Sequence, residues 1–273
     1  MTIAAGFVAA DGILLCADTL WTDGYTKEYR DKIFSWTGRY AAACFAVAGN
    51  SANARDVVEA CRDALSATQR KRLAVQDILR LIKPIIKTSY ESSVDARPYE
   101  ERDDARFSLL VGVAAGKQVP QLFASTRTVL APVDTFDCVG AGRHLARYVV
   151  QPSYRNNLTV DELAVLGILA LAATKQHVDG VGGKSQFVVI GQGFVSGIVP
   201  YDVNQSEPLA LEHQRRATDL LLTIADATLD AESFRNMVRR FTNYLQDARS
   251  EWSKHGAPHR ELRDALRQQA TNR

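Results

Sequence analysis

Apolar residues come in strand-length blocks through the first fifty positions. Residues 3–9 and 13–17 form two such blocks, and Ala10-Asp11-Gly12 between them has the composition of a hairpin turn. Asp18 closes the second block. A polar loop follows, and Lys32 stands at the entrance of a third run, Ile33-Phe34-Ser35-Trp36. Thr37-Gly38 turns the chain into a fourth, residues 41–48, which ends at Gly49-Asn50. Four strands therefore precede any helix. The spacing then changes: Ala54, Val57, Val58, Cys61 and Leu65 share one helical face, with Ser51 as the expected cap of a helix over 51–65. A second helix is predicted over 75–90, where Pro84 predicts a kink or an early stop. Residues 91–106 are charged and carry one proline, the pattern of an exposed connection.

The second half repeats the alternation. Residues 107–114 and 121–125 read as a hairpin around Gly116-Lys117, and 136–139 as a further strand. Gly140-Ala141-Gly142 leads into a helix over 143–150, and Thr159 with Glu162 three residues on forms a capping box for a helix reaching about Val178. Asp179-Gly180-Val181-Gly182-Gly183 breaks it, and 185–191 and 194–199 are two more strands. The order is strands, two helices, strands, two helices, strands. An α+β fold of two antiparallel sheets packed face to face, with helix pairs outside, covers both faces of each sheet. From about residue 206 the pattern becomes purely helical. Two amphipathic helices are expected over 209–227 and 231–252, the second capped by Asp230, with Gly256-Ala257-Pro258 separating a last charged segment. The expected division is a domain over 1–205 and a helical extension over 206–273.

With 273 residues, 46% of them hydrophobic, the chain is long enough to bury a sizeable core without disulfides. Acidic and basic residues nearly balance at a net charge of +2, so the totals point to neither nucleic acid nor a membrane surface as partner. Cys16, Cys44, Cys61 and Cys138 lie far apart in mostly apolar runs and read as buried thiols of a reducing compartment. The five histidines show no metal-ligand spacing, so no metal or cofactor is expected. No run approaches the roughly 20 apolar residues of a membrane helix, and the first residues lack a signal-peptide pattern. A cytoplasmic protein is the expectation.

Candidate chemistry gathers at the start of the chain. Thr2 becomes N-terminal once Met1 is removed, Asp18 lies sixteen residues on, and Lys32 opens the third strand. The strands between them allow a hydroxyl, a carboxylate and an ammonium to converge. A free α-amine has an unperturbed pKa of roughly 7.7 to 8.0, so an N-terminal threonine carries nucleophile and base together. Singly, each residue also has a structural reading: a strand end for Asp18, a solvated edge for Lys32.

In their order and spacing, Thr2, Asp18 and Lys32 before Ile33-Phe34 resemble the proteasome-type N-terminal-threonine hydrolases, across roughly residues 2–199. The loop before Lys32 is about two residues shorter than usual. The resemblance implies a four-layer αββα sandwich and a threonine-type endopeptidase working through an acyl-enzyme on Thr2. It makes Lys32 the electrostatic partner, Asp18 its anchor, Asp179 a carboxylate near the nucleophile's amine and the Ala46 N–H an oxyanion donor. It nominates Trp21, Thr22, Arg30, Cys44 and Ala48 as substrate contacts. A peptide or unfolded-protein substrate, a homo-oligomeric particle and an ATPase unfoldase are the partners it implies. Two departures stand against this: Ala141 and Gly182 occupy positions where serines are usual. A non-catalytic scaffold or binding subunit and an amidase for a small amide therefore remain alternatives. Gly183-Lys184-Ser185 looks like the end of a phosphate loop, but it follows a helix and precedes a strand, the reverse of the order such a loop needs.

Overall fold

The computed structural model describes residues 2–23, 26–68, 72–191, 194–198, 200–226 and 228–271. The chain opens with six strands: β1 (Ile3–Ala9), β2 (Gly12–Asp18), β3 (Leu20–Asp23), β4 (Thr26–Tyr29), β5 (Ile33–Thr37) and β6 (Ala41–Gly49). The polar stretch expected to be a loop is thus a small ribbon in which Leu20 faces Tyr29 and Thr22 faces Lys27. All of β4 is exposed, so it has no apolar alternation to betray it.

Two helices follow, α1 (Ser51–Ser66) and α2 (Val75–Tyr90). The cap of α1 is Asn50, whose side chain accepts from the Asn53 N–H at 3.0 Å, and not Ser51. Pro84 does not stop α2. It lies on the exposed side while Ile78, Leu79, Ile82, Ile86 and Tyr90 stay buried along the other. The expected connection at 91–106 holds a π turn (Glu91–Asp95), a 3₁₀ turn (Tyr99–Glu101) and α3 (Arg102–Ala105), and it buries Val94 and Ala105.

Then come β7 (Phe107–Ala115), β8 (Gln121–Thr126), β9 (Val129–Val133), β10 (Phe136–Gly140), α4 (Arg143–Val150), α5 (Val160–His177), β11 (Ser185–Gly191) and β12 (Phe194–Ile198). The unexpected strand, β9, carries Pro132 and lies at a sheet edge, where a missing N–H costs no ladder bond. The capping box at Thr159 and Glu162 forms at the start of α5. Beyond β12 the chain continues into α6 (Pro200–Ile224) and α7 (Ala231–Thr271). Asp230 caps α7 through the Glu232 and Ser233 N–H groups, both at 2.9 Å, and the helix runs on through Gly256-Ala257-Pro258 without the expected break.

Two five-stranded antiparallel sheets result, in the orders β10-β1-β2-β11-β12 and β5-β6-β7-β8-β9. Three apolar layers hold them. Phe45, Val47, Leu109 and Val111 face α1 and α2; Ile3, Phe7, Leu14 and Phe187 face α4 and α5. Ala4, Ala17, Ala46, Ala48, Ala114 and Ile190 fill the layer between the sheets. Alanines alternate there with larger side chains such as Ile13, Leu15, Leu110 and Leu122, and the sheets approach closely where a small residue faces a large one. A Cβ placed on Gly112 of β7 would lie 2.2 Å from Ile190 Cδ1 in the facing sheet. The four cysteines are all buried and unpaired. Among the described residues no helix is long and apolar enough to cross a membrane, and no cluster of metal-ligating side chains forms.

Candidate active site

Hairpin geometry creates the site. β1 and β2 pair with Ala4 opposite Ala17, which brings Thr2, just before β1, beside Asp18 at the end of β2. The Thr2 hydroxyl donates to Asp18 Oδ1 at 2.8 Å, and the same oxygen accepts the Ile3 N–H at 3.0 Å. Lys32 arrives from the other sheet. Its backbone is pinned at the start of β5: its N–H donates to Gln186 Oε1 at 2.7 Å, and its carbonyl accepts from Val47 N–H at 2.9 Å. Its Nζ donates to Asp18 Oδ1 at 2.7 Å, to the Thr2 hydroxyl and to the Leu20 carbonyl. Three acceptors use the three donors of an ammonium.

With Met1 in place the group is buried: Asp18 and Lys32 are 0% exposed and Thr2 is 1% exposed. The Trp21 ring covers the ammonium, with Nζ 4.9 Å from its centroid. Burial lowers the Lys32 pKa from 10.5 to about 8, against the opposing pull of Asp18, and the Lys175 charge lowers it further. Lys32 thus gives up its proton near neutrality far more readily than a surface lysine. The second oxygen, Asp18 Oδ2, accepts the Gly182 N–H at 3.0 Å. Gly182, where a serine was expected, therefore serves the site with its backbone.

Backbone packing brings the turn after β10 onto Thr2. Gly140 has φ +96°, and a Cβ there would lie 2.3 Å from the Thr2 carbonyl oxygen; that oxygen also accepts the Gly142 N–H at 3.3 Å. Only glycine meets both conditions.

Other expected residues lie elsewhere. Asp179 is exposed in the turn after α5, and no hydrogen bond joins it to Thr2, Asp18 or Lys32. Ala46 is misassigned as an oxyanion donor for a geometric reason. Along β6 the N–H groups alternate: Val47 points to β5 at Lys32, and Asn50 points to β7 at Arg106. Ala46, an even position opposite Leu110, therefore aims its N–H into the β6–β7 ladder. Gly49 has the opposite parity. It faces the side on which β5 has already ended, is exposed, and has φ +96°. Sequence reasoning noted Gly49 only as a strand end.

The nominated substrate contacts divide in the same way. Cys44 and Ala48 are buried in the layer between the sheets; Cys44 lies 3.3 Å from Ser35 Oγ, and burial pushes its thiol up to about 12. Trp21 is packed against the site lysine, Thr22 is half-buried on the β3 ribbon, and Arg30 is exposed and paired with Glu28 at 3.0 Å. The Leu20 carbonyl and the Gly182 N–H are the contacts that sequence reasoning missed, because backbone groups leave no signal in side-chain identity.

Two antiparallel sheets between helix pairs, with a threonine at the head of the first strand held by a carboxylate and a lysine, define an αββα sandwich of the N-terminal-nucleophile type. The sequence matches the proteasome-subunit family over residues 2–190, and the chain belongs to that family. A curated relative, the proteasome subunit alpha of Methanosarcina mazei, is 28% identical over 176 residues. The match spans 62% of this chain and 66% of that relative's length. Among solved structures, the Gly-1 mutant of Anbu from Hyphomicrobium sp. strain MC1 has a TM-score of 0.67 at 16% identity, covering 80% of this chain and 97% of that one. Anbu from Yersinia bercovieri, described as an ancestral beta-subunit, has a TM-score of 0.65 at 11% identity, covering 84% and 98%. The Anbu complex of Pseudomonas aeruginosa, solved as a helical assembly, has a TM-score of 0.65 at 14% identity, covering 81% and 96%. At these identities the structural likeness is one of fold.

Proposed function

We propose that this chain is an N-terminal-threonine peptidase that hydrolyses peptide bonds through an acyl-enzyme on Thr2, once Met1 has been removed, inside a self-assembled particle. The observation that carries this reading is the buried Thr2–Lys32–Asp18 hydrogen-bonded group, built from three separate strands. In the reaction, Thr2 Oγ1 attacks the substrate carbonyl and the α-amine of Thr2 takes the hydroxyl proton. The Lys32 charge favours the alkoxide, and Asp18 keeps that charge in place. The amine fragment leaves with the proton, and water hydrolyses the ester to regenerate Thr2. Thr22 and Arg30 are the nominated contacts that lie where an extended peptide can reach them, and pairing along the β3 ribbon reads its backbone. Residues 2–198 are the catalytic unit in this reading, and α6 with α7 is the extension. Self-assembly draws support from the helical Anbu assembly, and an unfoldase partner only from the family resemblance.

The test is the intact mass of the purified protein before and after an electrophile that bridges the hydroxyl and amine of N-terminal threonine. Loss of Met1 with a single adduct at Thr2, absent in Thr2→Ala, is the expected result. Retained Met1 with no adduct would replace this reading by a scaffold subunit. That second reading is favoured by the exposed Asp179 and by the absence of a hydroxyl at Ala141 and Gly182.

A further inference from the structure

A second buried polar group sits beside the first and ties it to the C-terminal extension. Ser185, the first residue of β11, is directly opposite Asp18 across the β2–β11 pair and is 0% exposed. Its hydroxyl accepts from Lys175 Nζ, on the last turn of α5, at 2.8 Å. Lys175 Nζ also donates to both oxygens of Glu207, at 2.8 and 3.0 Å, and the Ser185 hydroxyl donates to Glu207 Oε1. Glu207 belongs to α6, outside the double sheet. Lys175 and Glu207 are only 13% and 15% exposed, so their charges are poorly screened.

We propose that Glu207 is a positioning residue for the Thr2–Asp18–Lys32 centre: it neutralises the Lys175 ammonium and holds it on Ser185, so that docking of the extension sets the charge in which the centre works. The proposal rests on the reading of that centre given above.

Two ammonium groups, Lys32 and Lys175, flank the end of the β2–β11 pair, and in the processed chain the Thr2 α-amine is a third titratable nitrogen beside Lys32, common to every variant compared. Asp18 compensates the first, and the double sheet supplies no carboxylate to the second among the described contacts. Only α6 brings one. Asp31 faces the neighbouring Gln186 Nε2, and the buried Cys16 thiol of β2 feels both Lys175 and Glu207. Burial keeps that thiol well above its ordinary pKa, so it carries no compensating charge. If α6 lifts away, the Lys175 charge is left bare beside Lys32 and makes the Lys32 proton easier to lose. Among the described residues this pair is the charged link between the extension and the site, so a movement of α6, such as one imposed by contact with a neighbouring copy, changes the protonation of Lys32. The inferred regulation is therefore electrostatic.

The experiment titrates Lys32 directly by NMR in protein carrying ¹³Cε-labelled lysine, the signal assigned by its loss in Lys32→Arg. It compares wild type, Glu207→Gln and Glu207→Gln/Lys175→Met. Glu207→Gln should move Lys32 deprotonation to lower pH by about half a unit or more, and the added Lys175→Met should return it to the wild-type value or above. An unchanged titration in Glu207→Gln overturns the proposal. So does a shift that Lys175→Met fails to reverse, because the variant would then act through loosened packing. The pH dependence of adduct formation at Thr2 should move with the titration. A shifted titration in a protein that forms no adduct at all removes the peptidase reading and leaves the coupling standing.

Discussion

Lys32 is the residue on which the centre's energetics turn. Its side chain is buried between a carboxylate and a tryptophan face, and burial lowers its proton affinity. Between pH about 8 and 10.5 the unfolded chain holds a proton here that the folded chain has given up. Stability from this group therefore rises as pH increases through that window. In urea titrations at pH 8 and pH 10, the wild type should gain on the order of 1–3 kcal/mol relative to Lys32→Met. At pH 7 the same variant should be the less stable protein by about 3 kcal/mol, since it leaves the Asp18 carboxylate buried without its partner. Gly140 is the second sensitive residue. Gly140→Ala needs a left-handed backbone and collides with the Thr2 carbonyl, so it should cost about 1–3 kcal/mol and slow adduct formation at Thr2 more than tenfold. Normal reactivity in that variant would mean that the turn does not fix the threonine.

Among the elements, the strand pairs decide how far apart the chemistry sits. Asp18 and Lys32 lie on different sheets, and the face-to-face packing of those sheets brings them within 2.7 Å. Gly112→Val would thicken the layer between the sheets where Ile190 already fills it. The expected loss is about 1–3 kcal/mol in chemical denaturation, with a parallel fall in Thr2 reactivity as the sheets separate. The capping box of α5 is a milder lever. Thr159→Ala should cost about 1 kcal/mol and leave reactivity unchanged, because Thr159 is at the end of α5 remote from Lys175.

For the whole molecule, the exposed apolar side chains of the extension set the expected behaviour in solution. Leu209, Leu221, Leu222, Ile224, Val238 and Leu245 are all exposed on α6 and α7. Within the extension, His213, Arg216, Phe241 and Tyr244 join the two helices, with the Arg216 guanidinium 4.3 Å from the Tyr244 ring centroid. Aromatic contacts join the two helices, and these six aliphatic side chains stay exposed. Light scattering should give a multiple of the 30.0 kDa chain mass. Replacing Leu221, Leu222 and Ile224 together by lysine should lower that multiple without changing the circular dichroism of the double sheet. An unaltered mass would place the assembly surface on another face.

The sequence by itself determined the αββα order and the trio at the centre. Buried strands such as 41–48 are continuous apolar blocks, α1 and α5 carry helical periodicity and cap chemistry, and Thr2, Asp18 and Lys32 are side chains at strand ends whose roles depend on residue type. Tertiary structure alone decided the rest, for reasons of direction and distance. The β3–β4 ribbon is held by backbone pairing without an apolar face, and β9 is permitted its proline only by standing at an edge. The N–H of Ala46 is spent within a ladder, while that of Gly49 is directed past the end of β5, a difference of register invisible in composition. Asp179 follows a helix in the expected way but is exposed in the turn. Glu207, 22 residues beyond Ser185, meets it only because α6 folds back over α5, and no local rule of the chain encodes that contact.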